Sequence, residues 1–369
     1  MPVHMDSVKD WEYVDLFKYR TFFYRNENSS HIARKSLVAA LSTHIICKYF
    51  KLQYQVYINY YISLIQPSQT LQASPVHNNN SQFGEMAATD AAPSTYDRTK
   101  AIKEFDESKM GVKGLSESGI TSIPEFFIHP PQTLSDLRSS SRSSPGAVPV
   151  IDISGINSIA DRPNIVRQVR DAAKSWGFFQ VVNHGVPAPV LDDTINAIRG
   201  FHEQPHENKA KYYKRQEGQG VMFASNNDLY RTEAASWHDS LQVWMGPQPP
   251  VSEEIPEVCR REVIAWDGHA KDVADKVMEL LSEGLGLEPG MFRELTFSDA
   301  RTLVGHCYPH CPQPDLTLGI TSHTDPGIIT VSLTNRVPGL QVKHEDDWTD
   351  VDPVPGGLII NIGDFLQCR

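Results

Sequence analysis

Apolar positions recur with a helical period between residues 161 and 177. They fall three or four residues apart, which places them on one face of a helix. They are Ile165, Val166, Val169, Ala172, Ala173 and Trp176. Asp161 and Pro163 are typical of a helix start, and Gly177 is typical of a helix end. The pattern therefore predicts a helix over this segment.

Three further segments have a helical pattern, and two have the pattern of buried strands. Residues 98–111 suit a short charged helix, while residues 190–201 and 273–281 carry apolar faces. The runs VPVIDIS and FFQVVNHGV are rich in β-branched and aromatic residues, which favours strands. Residues 148–295 are therefore expected to be mainly helical.

The pattern changes after residue 301, where short apolar runs alternate with Pro, Gly and Asp/Asn. The runs are TLVGHCYP, TLGITSH, IITVSLT, GLQVKHEDDWTDV and GLIINIGDF. Evenly spaced short strands with turn residues between them are typical of a β-sandwich or jelly roll. The expected fold class is α+β, with a mainly helical N-terminal half packed on this β core.

Composition divides the chain further. Residues 1–85 carry eight Lys/Arg against six Asp/Glu and show no clear period, so we expect an atypical, poorly ordered N-terminal extension. Residues 86–147 are expected to hold the charged helix and a mobile Ser-rich linker, SDLRSSSRSSPGA. The helical domain is expected over residues 148–295, and the β domain over residues 296–369.

Charge and cysteine content limit the partners and the compartment. The formal net charge of −11 argues against nucleic acid or an anionic membrane surface, because both select a basic face. No apolar run reaches the ~20 residues that a membrane helix needs. Five scattered cysteines without a secretory signal indicate reduced thiols. We expect a cytoplasmic monomer that acts on a small molecule.

His323 and Asp325 stand two residues apart at the head of an apolar, β-branched run. Ferrous centres that activate oxygen are held by two histidines and one carboxylate, which leave positions open for cosubstrate and oxygen. Alternate side chains of a strand point to one face, so His-x-Asp can supply two ligands. The alternative interpretation of His323 and Asp325 is a surface pair at the start of a strand.

A zinc site in a different segment, GHCYPHCP, is another candidate metal centre. Its candidate ligands are His306, Cys307, His310 and Cys311.

Four longer motifs follow one another along the chain. They are VPVIDIS, AAKSWGFFQVVNHGV, YPHCPQPDLTLGITSHTDPGIITVSL and GLQVKHEDDWTDVDPVPGGLIINIGDFLQ. Their order resembles the plant 2-oxoglutarate- and Fe(II)-dependent dioxygenases over about residues 98–367. The segments EFDESKMGVKGLSESGITSIPEFFIHPP and GVMFASNNDLYRTEAASWHDSL are most similar to the branch of 1-aminocyclopropane-1-carboxylate oxidase homologues.

The resemblance implies a double-stranded β-helix (jelly-roll) core and an oxidoreductase that uses Fe(II), 2-oxoglutarate and O2. Such an enzyme would hydroxylate or desaturate a small plant specialised metabolite or hormone. An oxidase that uses ascorbate without 2-oxoglutarate is the alternative within the enzyme class.

The resemblance also assigns roles to individual residues. His323 and Asp325 match the first two iron ligands, and Tyr308 matches the tyrosine that hydrogen-bonds the 2-oxoglutarate carboxylate. His306 stands where relatives often have an asparagine that faces the cosubstrate. Phe223 lies in a stretch that lines substrate pockets in relatives.

The family's second histidine ligand and its Arg-x-Ser pair have no counterpart in the sequence after Asp325. The later histidine, His344, is expected in an exposed hairpin turn. We therefore expect the last core strands to be missing and activity to be impaired, since the arginine would give 2-oxoglutarate a bidentate partner. A non-catalytic truncated product that acts through protein interaction is the alternative from a different class.

Overall fold

The computed structural model describes residues 15–22, 96–139, 147–215, 219–226, 229–295, 297–345 and 347–367. The helices are Arg98–Ser108 (α1), Gly111–Glu117 (α2), Pro131–Ser139 (α3), Arg162–Ser175 (α4), Ala188–His202 (α5), His206–Lys209 (α6), Arg260–Gly284 (α7) and Met291–Glu294 (α8). The strands are Asp15–Phe22 (β1), Val150–Asp152 (β2), Phe178–Val182 (β3), Val221–Ser225 (β4), Asp239–Gly246 (β5), Ala300–Cys307 (β6), Ile329–Thr334 (β7), Gln341–His344 (β8), Asp347–Asp350 (β9) and Leu358–Ile362 (β10). Single 3-10 turns occur at Glu125–Phe127, Ala210–Tyr212, Ser252–Glu254 and Pro314–Leu316.

Eight of these strands form one sheet in the order β2-β3-β10-β7-β1-β6-β5-β4. β2 and β3 run parallel, and the other neighbours run antiparallel. β8 and β9 form a separate antiparallel pair. The sheet takes strands from residues 148–295 as well as from 296–369. Residues on both sides of the boundary predicted at residue 296 therefore contribute strands to one sheet.

β1 comes from the segment that the sequence predicts to be poorly ordered. Its backbone lies between β6 and β7, with Leu16 opposite both Gly305 and Leu333. Residues 15–22 therefore depart from that expectation, because they connect the two halves of the sheet. The other residues of the predicted extension lie outside the described part of the chain.

The helix predicted from the apolar period of residues 161–177 is confirmed as α4. Ile165, Val169 and Ala172 are buried on its inner face. It ends beside Gly177, whose φ of 67° lies in the left-handed region that glycine adopts without strain. The predicted face and the predicted end are thus both observed.

α7 is the longest described helix and packs against α4. Arg162, at the start of α4, donates through Nε to Glu283 on α7 at 2.9 Å and lies 3.6 Å from Glu279. Val273, Val277 and Leu280 are buried on the inner face of α7. Of the helices that the structure describes, none is long and apolar enough to cross a membrane.

Two local predictions were wrong, and two strands were not predicted. The run TLGITSH, residues 317–323, forms a loop, because its backbone bonds to neighbouring loop atoms and not to a strand. Residues 135–139, the start of the predicted Ser-rich linker, belong to α3, which begins at Pro131, a residue suited to the first helical turn. The strands β4 and β5 were not predicted. In β5, the polar residues Asp239 and Ser240 interrupt the apolar pattern.

The first described helices pack on an aromatic cluster in front of β5. The ring of Phe127 lies 4.9 Å from Trp237 and 4.6 Å from Phe126, centroid to centroid. Phe105 of α1 lies 5.6 Å from both phenylalanines. Offset and edge-on aromatic pairs at such distances stabilise a core by about 0.5–1.5 kcal/mol beyond burial. The cluster fixes α1 beside the segment that enters β5.

His344 is the last residue of β8 and not an exposed turn residue as predicted. Its ring stacks on Trp176 with a centroid distance of 3.8 Å and an interplanar angle of 10°. Trp176 follows α4 directly. The histidine therefore helps to hold the β8/β9 pair against the end of that helix.

Candidate metal centre

His323 and Asp325 lie in the loop that precedes β7, and not on a strand as predicted. The loop nevertheless brings their side chains together, with 3.6 Å between His323 Nε2 and Asp325 Oδ1. The Asp325 side chain is 3% exposed, whereas that of His323 is 31% exposed. Metal bonds to such atoms are roughly 2 Å long, so two donor atoms at this separation can share one ion.

The carboxylate of Asp325 is held by two strands. Its Oδ2 accepts a hydrogen bond from Thr330 Oγ1 at 2.6 Å and another from Asn361 Nδ2 at 3.0 Å. Thr330 on β7 and Asn361 on β10 are direct cross-strand partners. We call these three residues the carboxylate side of the centre. Its hydrogen bonds fix the direction in which Oδ1 points.

The imidazole of His323 is held by its own loop. Nδ1 lies 2.8 Å from the carbonyl oxygen of Thr321. A carbonyl can only accept, so Nδ1 carries a proton, and in the neutral imidazole Nε2 keeps its lone pair. This is the arrangement that histidine ligands adopt in metal sites, where the second ring nitrogen donates to an outer partner.

The same loop is anchored to the residues that lead into β5. Ser236 Oγ accepts from the backbone N–H of Thr321 at 3.2 Å. His238 Nδ1 donates to the carbonyl oxygen of Gly319 at 2.6 Å. We call His323, Thr321 and these anchors the imidazole side of the centre. Its geometry depends on contacts between loops.

A close backbone approach joins the loop to the end of β10. Asp364 N donates to the carbonyl oxygen of Asp325 at 2.8 Å, and Gly363 N donates to that of Ile328 at 2.9 Å. A Cβ on Gly363 would lie 2.0 Å from the carbonyl oxygen of Gly327, which no side chain can tolerate. Glycine is therefore required at position 363, where the chain leaves β10 and passes the loop that carries His323 and Asp325.

Tyr308 and His306 lie in one aromatic cluster with His238. The ring centroids of His238 lie 5.2 Å from His306 and 5.6 Å from Tyr308. His306 Nδ1 lies 2.8 Å from Ser240 Oγ on the neighbouring strand. A Cβ on Gly319 would lie 2.8 Å from the Tyr308 ring, so the loop packs directly on the tyrosine. The two predicted cosubstrate residues are thus brought together beside the imidazole side.

Phe223 lies on β4 and is fully buried. Its ring lies 5.6 Å from Phe201 and 5.7 Å from Tyr213, both edge-on, and Lys209 Nζ lies 5.9 Å from its centroid. These contacts make it part of an aromatic cluster of the core. Substrate contact by Phe223 stays a prediction.

Several titratable groups are buried beside β5 and β6. His202 Nε2 donates to the carbonyl oxygen of Gly305 at 3.1 Å, and complete burial lowers the pKa of His202 to about 3. Lys209 Nζ donates to the carbonyl oxygen of His202 at 2.8 Å, and burial lowers the pKa of this lysine. Asp239 accepts from Val112 N at 2.7 Å, and burial raises its pKa. These groups connect helices to the sheet.

The segment considered for zinc is divided between different environments. Cys307 and Cys311 are buried, as is Cys259, whereas His310 is exposed. Burial raises the pKa of Cys259 to about 12 and that of Cys311 to about 11, while the thiolate is the metal-binding form. In the described part of the chain, no three His, Cys, Asp or Glu side chains gather into a metal-binding group. The geometry favours the His323–Asp325 pair over this segment.

Three residues of the centre were missed by reasoning from the sequence. Thr330 and Asn361 each stand as a polar residue inside an apolar strand, and both are buried. A polar residue at a core position needs a hydrogen-bond partner, so this pattern could have identified them. His238 had no such indication, because its partner Gly319 lies 81 residues away.

Two family models match the chain. The model described as non-haem dioxygenase in morphine synthesis N-terminal matches residues 148–259. The model of the 2OG-Fe(II) oxygenase superfamily matches residues 299–368, which include the His323–Asp325 pair.

Curated plant proteins are similar over most of the chain. The 1-aminocyclopropane-1-carboxylate oxidase homolog 4 of Arabidopsis thaliana is 45% identical over 271 residues, which is 73% of this chain and 75% of the relative. A homologue from Solanum lycopersicum is 44% identical over 278 residues, covering 74% and 75%.

Solved structures share the fold. JOX2 in complex with 2OG, Fe and JA has a TM-score of 0.59 and 29% identity, covering 69% of this chain and 73% of that chain. A putative 2OG-Fe(II) oxygenase family protein from Caulobacter crescentus has a TM-score of 0.51 at 20% identity, covering 59% and 74%. The predicted α+β class with a jelly-roll core is confirmed by these similarities, and the described sheet is open and not a closed barrel.

Proposed function

Since the chain belongs to the 2OG-Fe(II) oxygenase superfamily, among the 1-aminocyclopropane-1-carboxylate oxidase homologues, we propose that it hydroxylates or desaturates a small plant metabolite or hormone. The cofactors of this family are Fe(II), 2-oxoglutarate and O2. The observation that carries the proposal is the convergence of His323 Nε2 and Asp325 Oδ1 to 3.6 Å.

His323 and Asp325 would supply two protein ligands to a bound iron ion. His323 would bind through Nε2, because Nδ1 donates to Thr321. Asp325 would bind through Oδ1, which faces the same imidazole. When bound, iron with 2-oxoglutarate and O2 supplies the oxidising chemistry. The protein binds and orients the reactants and keeps water away.

Tyr308 and His306 would orient the cosubstrate. Their rings lie together next to the loop that carries His323, and His306 is fixed by Ser240. A phenol and an imidazole can both hydrogen-bond a carboxylate. Tyr308 would therefore hold the 2-oxoglutarate carboxylate, with His306 beside it.

His323 and Asp325 would be the two protein ligands of the centre, and among the described residues no third His, Cys, Asp or Glu gathers with them. Iron centres of this kind use three protein ligands. A centre with these two protein ligands alone would bind Fe(II) weakly and turn over slowly.

A metal titration with matched variants tests the proposal. Wild-type chain, His323→Ala, Asp325→Ala and the control His310→Ala would be titrated with Co(II), followed by its visible absorption. We expect the first two variants to bind at least ~10-fold more weakly than wild type, and the exposed His310 to have no effect. Equal binding by all four proteins would contradict the proposal.

Succinate release separates the enzyme alternatives. An Fe(II)-loaded protein that converts 2-oxoglutarate to succinate, even slowly, supports the dioxygenase. Ascorbate oxidation without succinate would support the other oxidase chemistry. Specific Co(II) binding with neither product would support a non-catalytic role.

A further inference from the structure

We infer that Thr330 and Asn361 are positioning residues that make Asp325 bind its metal through Oδ1 alone. The inference rests on the proposed function, because it concerns the ion held by His323 and Asp325. It adds two residues, on two different strands, to the parts that shape the centre.

Both hydrogen bonds reach the same carboxylate oxygen. Thr330 Oγ1 and Asn361 Nδ2 donate to Oδ2 at 2.6 and 3.0 Å. A carboxylate has about four acceptor positions, two on each oxygen, so two donors occupy those of Oδ2. Turning the carboxylate to present both oxygens to a metal would weaken both bonds.

The donors are themselves held rigidly. Thr330 is 0% exposed and Asn361 is 5% exposed, and the two residues pair directly across β7 and β10. A buried donor that loses its acceptor destabilises the fold, because it no longer has water or protein to bond. The two strands therefore oppose any movement of Asp325 Oδ2 toward a bound metal ion.

Single-oxygen binding has a chemical consequence at the centre. A carboxylate bound through both oxygens occupies two coordination positions, whereas one bound through Oδ1 occupies a single position. The centre needs its remaining positions for cosubstrate and oxygen. The Thr330–Asn361 pair thus keeps one more position open.

The test removes each donor without changing the size of the side chain greatly. Thr330→Val and Asn361→Leu delete the donors, and Thr330→Ser keeps the hydroxyl. Ser332→Ala is the matched control, because Ser332 is a largely buried hydroxyl two residues further along the same strand. Circular dichroism establishes that each purified variant is folded. If Asn361→Leu does not fold, Thr330→Val against Thr330→Ser decides alone.

Two measurements on these proteins separate positioning from a purely structural role. Co(II) titration should show binding ~10–100-fold weaker in Thr330→Val and Asn361→Leu, and wild-type binding in Thr330→Ser and Ser332→Ala. Infrared spectra of the Co(II)-loaded proteins should show a smaller splitting of the carboxylate bands in the weakened variants, as expected for binding through both oxygens.

The outcomes distinguish this inference from the proposed function. A wild-type chain that binds Co(II), with Thr330→Val and Asn361→Leu unchanged in affinity and in carboxylate bands, overturns the inference alone. A wild-type chain that binds no Co(II) at His323 and Asp325 overturns both.

Discussion

Asp325 of the carboxylate side and His323 of the imidazole side lie two residues apart in sequence, but the two sides are held by different means. Asp325 is buried, and side chains from β7 and β10 hold its Oδ2. His323 is partly exposed, and its ring is held by a carbonyl of its own loop. A change to the sheet should therefore affect folding as well as metal binding. A change to the loop should affect mainly the local geometry.

The largest expected effect comes from disrupting the close backbone contact between Gly363 and Gly327, next to the carboxylate side. In Gly363→Ala, the new Cβ would meet the carbonyl oxygen of Gly327, and backbone against backbone cannot repack. We expect a loss of unfolding free energy of about 3 kcal/mol or more, measured by urea denaturation. The control Gly268→Ala places its Cβ in open space on α7 and should stabilise by up to ~1 kcal/mol. Similar stability in the two variants would show that the loop and β10 are not tightly joined.

The two candidate ligands, Asp325 and His323, provide the next test, made in the absence of metal. Asp325→Ala leaves the donors of Thr330 and Asn361 buried without their acceptor, so we expect a loss of about 2 kcal/mol in unfolding free energy. His323→Ala removes a partly exposed ring and should cost less than ~0.5 kcal/mol. Denaturant unfolding in the presence of EDTA measures both. An equal loss in the two variants would remove the proposed difference between the sides.

The stability of the folded chain depends on pH, and this dependence sets the pH range in which the two sides can be compared. The pKa of His202 is about 3 in the folded chain, because of burial, against 6.5 as its ordinary value. Between these values the unfolded chain binds a proton that the folded chain does not, so stability falls as the pH is lowered through 6.5. Burial lowers the pKa of His129 and His184 as well, so these two groups also reduce the unfolding free energy as the pH falls.

His202→Gln cannot titrate but keeps a side chain that can donate to Gly305. Between pH 7.5 and pH 5.5, wild type should lose about 1.4 kcal/mol more unfolding free energy than this variant, since one pKa unit corresponds to about 1.36 kcal/mol. Urea unfolding at the two pH values measures the difference. Parallel losses in the two proteins would mean that His202 is not the group that takes up the proton.

A further small effect is expected at Ser236, an anchor of the imidazole side. Ser236→Ala removes the acceptor for Thr321 N and should cost about 1 kcal/mol at most. Hydrogen exchange read by mass spectrometry should nevertheless speed up for residues 317–323 and stay unchanged in β7. The control Ser175→Ala removes an exposed hydroxyl on α4 and should alter neither segment. Faster exchange in β7 would show that the loop and the strand open together.

Periodicity was enough to predict the main helices and the strands next to the centre. α4 and α5 have apolar faces with helical spacing, and β7 and β10 are apolar runs bounded by turn residues. The pattern failed where tertiary contacts override local preference. Residues 317–323 have strand-like composition but bond to the segment before β5 instead.

The His323–Asp325 pair is recognisable in the sequence, but the residues that hold Asp325 are not. His-x-Asp is a local pattern, whereas Thr330 and Asn361 meet only because β7 and β10 pair in one register. A shift of that register by one residue would turn one donor to the opposite face of the sheet. Such information resides in the pairing of distant strands and not in a local window.

The buried thiols make the opening of single parts of this fold measurable. Cys259 precedes α7, Cys307 ends β6 and Cys311 follows β6, and all three are shielded from solvent. An alkylating reagent attacks the thiolate, so each position reacts only when its surroundings open. Peptide mapping distinguishes these cysteines from Cys47 and Cys368, which lie outside the described residues. Alkylation rates at the three positions therefore report, without any introduced label, which part of the protein opens first.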